Sequence, residues 1–138
     1  MKNVFCTTAE MRQLVGEDKC SLWDGVIDDT DCIPLVAYFN SIGLKTTMCC
    51  QGHNNTNQCL FWIAFDSSVT EDDIRSFMHK HPQRLDKPNS FASCGHFCLR
   101  LMPYHGSNHY IYEAGCTESA NGDLYYFLTG KWFKRVEI

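Results

Sequence analysis

The sequence is short of positive charge, of long apolar runs and of recognisable cofactor spacing. Twelve Lys and Arg stand against 16 Asp and Glu, for a formal net charge of -4. Proteins that track a phosphate backbone present a basic face. Only Lys131, Lys134 and Arg135 cluster here, so binding along long nucleic acid is not expected. A pocket for one nucleotide needs only a few local donors and stays open. No apolar run approaches the roughly 20 residues that span a bilayer, and "MKNVFCTTAEMRQ" lacks a signal-peptide core. No membrane partner and a cytosolic location are therefore expected. Repeats, linkers and low-complexity tracts are absent. So is a glycine-rich dinucleotide fingerprint, and no cofactor is expected.

What is present suits one ordinary domain. The chain has 138 residues, 44% hydrophobic and 20% charged, enough for a core and too apolar for disorder. Aromatics at 13% fit a filled core or a stacking pocket. Nine cysteines form an odd set without framework spacing, which points to reduced thiols.

Periodicity and caps predict the elements. "TTAEMRQLV" reads as a helix with a Thr7/Glu10 capping box. "GEDKCSLWDGVIDDTD" reads as an acidic loop with a turn at Asp24-Gly25. A second helix follows, capped by Thr30 or Asp31, with Pro34 in its first turn and Gly43 past its end. "LKTTMCC" and "CLFWIAF" read as strands, the latter central. "SSVTEDDIRSFMHKH" reads as a helix boxed by Thr70 and Asp73, burying Ile74, Phe77, Met78 and His81. "SFASCGHFCLRLM" and "HYIYEAG" read as strands. In the first, Cys94, His96, Cys98 and Arg100 alternate with Phe97, Leu99 and Leu101. A last helix is capped by Thr117 and stops near Gly130, weakened by Asn121-Gly122. The pattern predicts an α+β domain: a mostly antiparallel sheet with helices packed on one face. The other face is then partly open.

"TTMCCQGHNN" is the most suggestive stretch. Cys50, Gln51, Gly52, His53, Asn54 and Asn55 end a strand in a loop rich in donors and acceptors that suit a base edge or ribose. Gly52 permits a positive φ or close backbone approach. The plainer reading is a polar turn with one cysteine buried as a small hydrophobe. "PYHGSNHYIYE" adds Tyr104, His105, His109 and Tyr110, where an aromatic ring can stack on a base. His96 and Arg100 come from the neighbouring strand, Arg100 suited to a phosphate. A solvated hairpin loop is the plain alternative.

Metal and covalent chemistry are weaker readings. Zinc sites favour C-x₂₋₄-C pairs, and Cys49-Cys50 is not one. Alternate strand residues such as Cys94, His96 and Cys98 stand about 6.5–7 Å apart, too far to share an ion without bending. A Cys50 or Cys94 thiolate served by His53 or His96 would make a nucleophile, but cysteine is more often buried and inert. Asp24, Asp28, Asp29 and Asp31 fit a solvated capping run better than a cation loop.

Residues 24 to 53 carry a resemblance. "DGVIDDTDCIPLVAYFNSIGLKTTMCCQGH" runs from an acidic loop through I-P-L-V-x-x-x-N to a Thr-Thr strand and Cys-x-Gly. This resembles the methyltransferase family of wybutosine synthesis, which modifies a guanosine in tRNA using S-adenosylmethionine. Cys50 and Gly52 match its Cys and Gly, while His53 stands where that family has Arg and removes a bidentate phosphate clamp. The whole sequence is also similar to small phage and prophage proteins with the same helix, "CQGH" loop and "FWI.F" strand. The resemblance implies a shared fold and, in a phage setting, sequestration of a host immune signal.

The expected function is binding of a nucleotide-like small molecule on the open sheet face, without turnover. One alternative is an enzyme modifying a nucleotide or RNA, by methyl transfer or Cys/His hydrolysis. Another is an inhibitor that binds a protein partner. Small sheets often need a neighbouring subunit to close such a site, so a homo-oligomer is among the expectations.

Overall fold

A computed structural model describes residues 7–52, 61–81, 98–104 and 107–131, with 98–104, 107 and 108 as backbone only. Helix α1 (Thr8–Val15) starts at the predicted box: the Thr7 hydroxyl accepts from the Glu10 N–H, and the Glu10 carboxylate accepts from the Thr7 N–H. Met11 and Val15 are its buried residues.

The acidic stretch after α1 is not wholly a loop, as its sequence suggested. Helix α2 (Glu17–Ser21) forms there and buries Cys20. Arg12 reaches from α1 to the carboxylates of Glu17 and Asp24, which holds the acidic run against the body. Five residues are too few to show a helical period, and that tertiary ion pairing is invisible in sequence.

Helix α3 (Ile33–Ser41) has Pro34 in its first turn, as expected, and Gly43 beyond its end at a φ of 90°. The expected cap by Thr30 or Asp31 is absent. A 3₁₀ turn over Thr30–Cys32 leads directly into α3, and Cys32 occupies the cap position without a side-chain bond. Every residue from Ile33 to Phe39 is buried, which makes α3 a central helix rather than a surface one.

The strands are β1 (Thr46–Cys50), β2 (Phe61–Phe65), β3 (Cys98–Tyr104) and β4 (Ser107–Ala114). They form one antiparallel sheet in the order β1-β2-β4-β3, with β2 internal as predicted. The expected strand over 90–102 is described only from Cys98 onward. In β1 the register shifts between Thr46 and Met48, so Thr47 is a surplus bulge residue. Between β2 and β3 lies α4 (Glu71–Lys80), entered through the predicted Thr70/Asp73 box, with Ile74 and Phe77 buried. Thr70→Ala should cost about 1 kcal/mol by removing one half of that box. Urea denaturation would measure it; an unchanged midpoint would mean that packing alone holds the start of α4.

Helix α5 (Thr117–Thr129) closes the fold and ends at Gly130 in the left-handed region. Its N-cap is Cys116, whose sulfur accepts from the Ser119 N–H; the expected cap, Thr117, instead turns its hydroxyl to Asp31. Asn121 and Gly122, a weak point by propensity, are buried against the body, where packing outweighs propensity.

The helices cover one face of the sheet, giving the predicted α+β class. Phe61, Ile63, Phe65 and Tyr112 point into the shared core with α3, α4 and α5. Phe39 sits in its middle, its ring 5.0 Å from Phe65, 5.7 Å from Tyr112, 5.8 Å from Phe77 and 6.1 Å from Phe127. Among the described residues, no helix is long and apolar enough to cross a membrane.

Candidate functional site

Polar groups converge where β1 ends, the 3₁₀ turn enters α3, and α1 and α5 begin. The Asp31 N–H donates to Gln51 Oε1 at 2.8 Å, and the Gln51 N–H donates to Asp29 Oδ2 at 2.9 Å. The Asp31 carboxylate accepts from the hydroxyls of Thr8 at 3.0 Å and Thr117 at 3.4 Å. Asn121, itself buried, donates to Thr8. Asp31 is thus neither a helix cap nor a cation ligand in an open loop. It is a hub that ties α1, α5 and β1 together.

Thiols line the same junction. Cys32 is fully buried. The neighbouring Cys49 thiol, together with burial, pushes the Cys32 thiol up, while Cys32 holds the Cys49 thiol below its ordinary range. Cys49 faces the helices and packs on the core. Cys50 is turned to the other side, where its sulfur accepts the Gly52 N–H at 3.4 Å. Gly52 has a φ of 91°, a conformation that explains why the loop places glycine there. Among the described residues, no group of three or more His, Cys, Asp or Glu is placed to hold a metal ion.

Deeper in the fold lies Asp123, with no exposed surface. Tyr112 donates its hydroxyl to Asp123 Oδ2 at 2.5 Å, and Oδ1 has no hydrogen-bond partner among the described residues. Burial pushes the Asp123 carboxyl well above the usual carboxylate range, which favours its protonated form.

The sheet face away from the helices carries the second set of groups. Register places Cys50 beside Trp62, Trp62 beside Glu113, and Glu113 beside Cys98. Cys50, Trp62 and Glu113 keep part of their surface exposed. The next row runs Met48, Ala64, Ile111 and Arg100. Ala64 and Ile111 are each 4% exposed, so this face is open in one row and closed in the next.

The structure separates some of the residues the sequence grouped. Cys50 and Gly52 flank the end of the Trp62 row, but Gln51 is engaged with Asp29 and Asp31. His109 donates through Nδ1 to the Phe65 carbonyl at 2.8 Å. Tyr110 shares the parity of Tyr112 and packs on the core, so it lies on the helix side, away from Trp62. Arg100 and Tyr104 are placed by backbone register only, opposite Ile111 and Ser107. His53, Asn54, Asn55, His96 and His105 lie outside the described residues. A separate cleft of about 270 Å³, lined by Tyr38, Leu44, Asp73, Phe77, Lys80 and His81, contains none of the predicted set. Burial lowers the pKa of His81 there.

Comparison with protein-family models, with curated proteins and with solved structures returned no match to this chain. The site is therefore argued from its residues. Sequence reasoning missed Trp62, Cys32 and Asp123. Trp62 sits in an apolar run whose alternation is hidden because its neighbours on both faces are hydrophobic. A clue was available in the pairing of a bulky ring with the polar end of β1, had the strand register been known.

Proposed function

We propose that this chain binds a small nucleotide-like ligand on the sheet face away from the helices. The observation that carries the reading is the row Cys50–Trp62–Glu113, a part-exposed indole flanked by a thiol and a carboxylate. An indole offers a flat apolar surface to a base, and base–aromatic stacking contributes about 1–3 kcal/mol. A carboxylate accepts from a base amino group or a ribose hydroxyl. Arg100, at the register position opposite Ile111, suits a phosphate. In the phage setting that the sequence resemblance implies, such binding would withdraw a host signal without consuming it.

Native mass spectrometry of protein purified from cells, followed by calorimetric titration with mononucleotides and cyclic dinucleotides, tests the reading. Saturable binding without product is expected, and Trp62→Ala should weaken it about 5- to 150-fold, the range that stacking alone supplies. Product formation dependent on Cys50 would replace binding with catalysis. Affinity unchanged in Trp62→Ala, with the variant folded by circular dichroism, would remove this face as the site.

A further inference from the structure

We propose that the cleft between the end of α3 and one face of α4 is a second ligand site, for a small aromatic carboxylate, with the ring held among Tyr38, Leu44 and Phe77 and the carboxylate taken by Tyr38, Ser76 and Lys80. It is independent of the sheet-face reading. The cleft is built from α3, α4 and the turn that follows α3, and none of its residues comes from a strand.

Shape and lining set the size and the apolar part. The cleft holds about 270 Å³, just under the usual range of ligand pockets, about 300–1,000 Å³, and suits one substituted ring. Asp73, Ser76, Phe77 and Lys80 recur at i, i+3, i+4 and i+7, so one face of α4 forms a wall. Tyr38, Leu44 and Phe77 belong to the core, while Ile42 in the same lining stays 46% exposed. His81 adds a further ring, 4.8 Å from that of Phe77.

The polar lining offers donors, and its acceptors are taken. At the end of α3 the carbonyls of Tyr38, Phe39 and Asn40 already accept from the N–H groups of Ile42, Leu44 and Gly43. On α4 the Phe77 carbonyl accepts from the His81 N–H, and Asp73 Oδ2 accepts from the Thr70 N–H at 2.9 Å. The side chains of Tyr38, Ser76 and Lys80, by contrast, make no hydrogen bond or ion pair among the described residues. Tyr38 is largely buried, yet its hydroxyl is not sealed from solvent: the sealed and unpaired side-chain atom among the described residues is Asp123 Oδ1. A carboxylate has acceptors only, and takes charge-assisted bonds from an ammonium and hydroxyls. A ligand ammonium would instead meet Lys80 with like charge. Asp73 stands about 10 Å from Lys80 along the helix axis, roughly a screening length away, so it does not cancel that charge locally.

The test is titration of the isotope-labelled full-length protein with phenylacetate, read by amide NMR shifts, beside the uncharged phenylacetamide and the cationic phenethylamine. Phenylacetate should bind saturably with a Kd of about 0.1–1 mM, with the largest shifts at Ser76, Phe77 and Lys80. The amide should bind about 5-fold more weakly or worse. Lys80→Gln should weaken phenylacetate about 5- to 10-fold and leave the amide unchanged, and Tyr38→Phe should weaken phenylacetate about 2- to 10-fold. Ser76→Phe fills the cleft and should abolish binding. Equal binding of acid, amide and amine, shifts centred on Trp62, or no saturation by about 10 mM would overturn the assignment. Ser76 and Lys80 are exposed, so their variants keep the fold and the result stays decisive.

Discussion

Phe39→Ala should lower the unfolding free energy by about 3–5 kcal/mol, the cost typical of emptying a buried aromatic site. Phe39 has no exposed surface and meets rings from β2, α4, β4 and α5. Removing it takes a shared partner from four elements at once. Two of those contacts, to Phe65 and Phe77, are edge-on, a geometry that adds to simple burial. A small domain holds only about 5–15 kcal/mol in all, so the variant should be near the limit of folding. Phe39→Leu should retain most of the stability by keeping much of the volume. Urea denaturation of both variants gives the comparison. A cost below about 1 kcal/mol for the alanine variant would show that the cluster does not hold these elements together.

The second large effect is expected at Asp123. Asp123→Ala removes the carboxylate that accepts from the Tyr112 hydroxyl and leaves a void, for a cost of about 2–4 kcal/mol. The conservative variant is more informative. Because burial raises the folded pKa, the folded chain keeps a proton that the unfolded chain releases above about pH 4. The contribution of Asp123 to stability is therefore complete below that pH. It declines as pH rises, until the folded pKa is passed. Asp123→Asn carries no titrating group and lacks this decline. Its stability relative to wild type should rise steadily above about pH 4. Denaturation midpoints at a series of pH values check the sign. Parallel curves for the two proteins would mean that Asp123 does not hold a proton in the fold.

Local rules account well for the elements that the sequence foretold. Thr7 with Glu10 and Thr70 with Asp73 each satisfy backbone N–H groups within three residues, so no distant contact is needed to read them. Gly43 and Gly130 likewise stop helices by their own conformation. The misses share the opposite character. Thr30 and Asp31 look like caps, but Asp31 is drawn to Thr8, Thr117 and the Gln51 side chain from distant parts of the chain. Tyr110 looks like a site residue beside His109, yet strand parity turns the two to opposite faces. Asp123 looks like an ordinary polar position on the outside of a helix; only its meeting with Tyr112 makes it a buried acid. The candidate site was legible in its Cys50–Gly52 end, and not in Trp62, because every residue of Phe61–Phe65 is apolar and the run shows no alternation that tells one sheet face from the other.

The surplus residue at Thr47 acts as a sorting device for two chemically identical side chains. Counting in twos from Thr46, whose hydroxyl accepts from Asn40 of α3, an unbroken strand would send Cys50 toward the helices and Cys49 outward. The extra residue shifts the count by one and reverses that allocation, giving the interior thiol to Cys49 and the outward one to Cys50. A single insertion or deletion in this short segment is thus equivalent to exchanging the two cysteines between the two faces of the sheet, with neither cysteine itself altered. Shape, and not chemical identity, decides which of the twin sulfurs packs against the core and which lies beside Trp62 in the sheet.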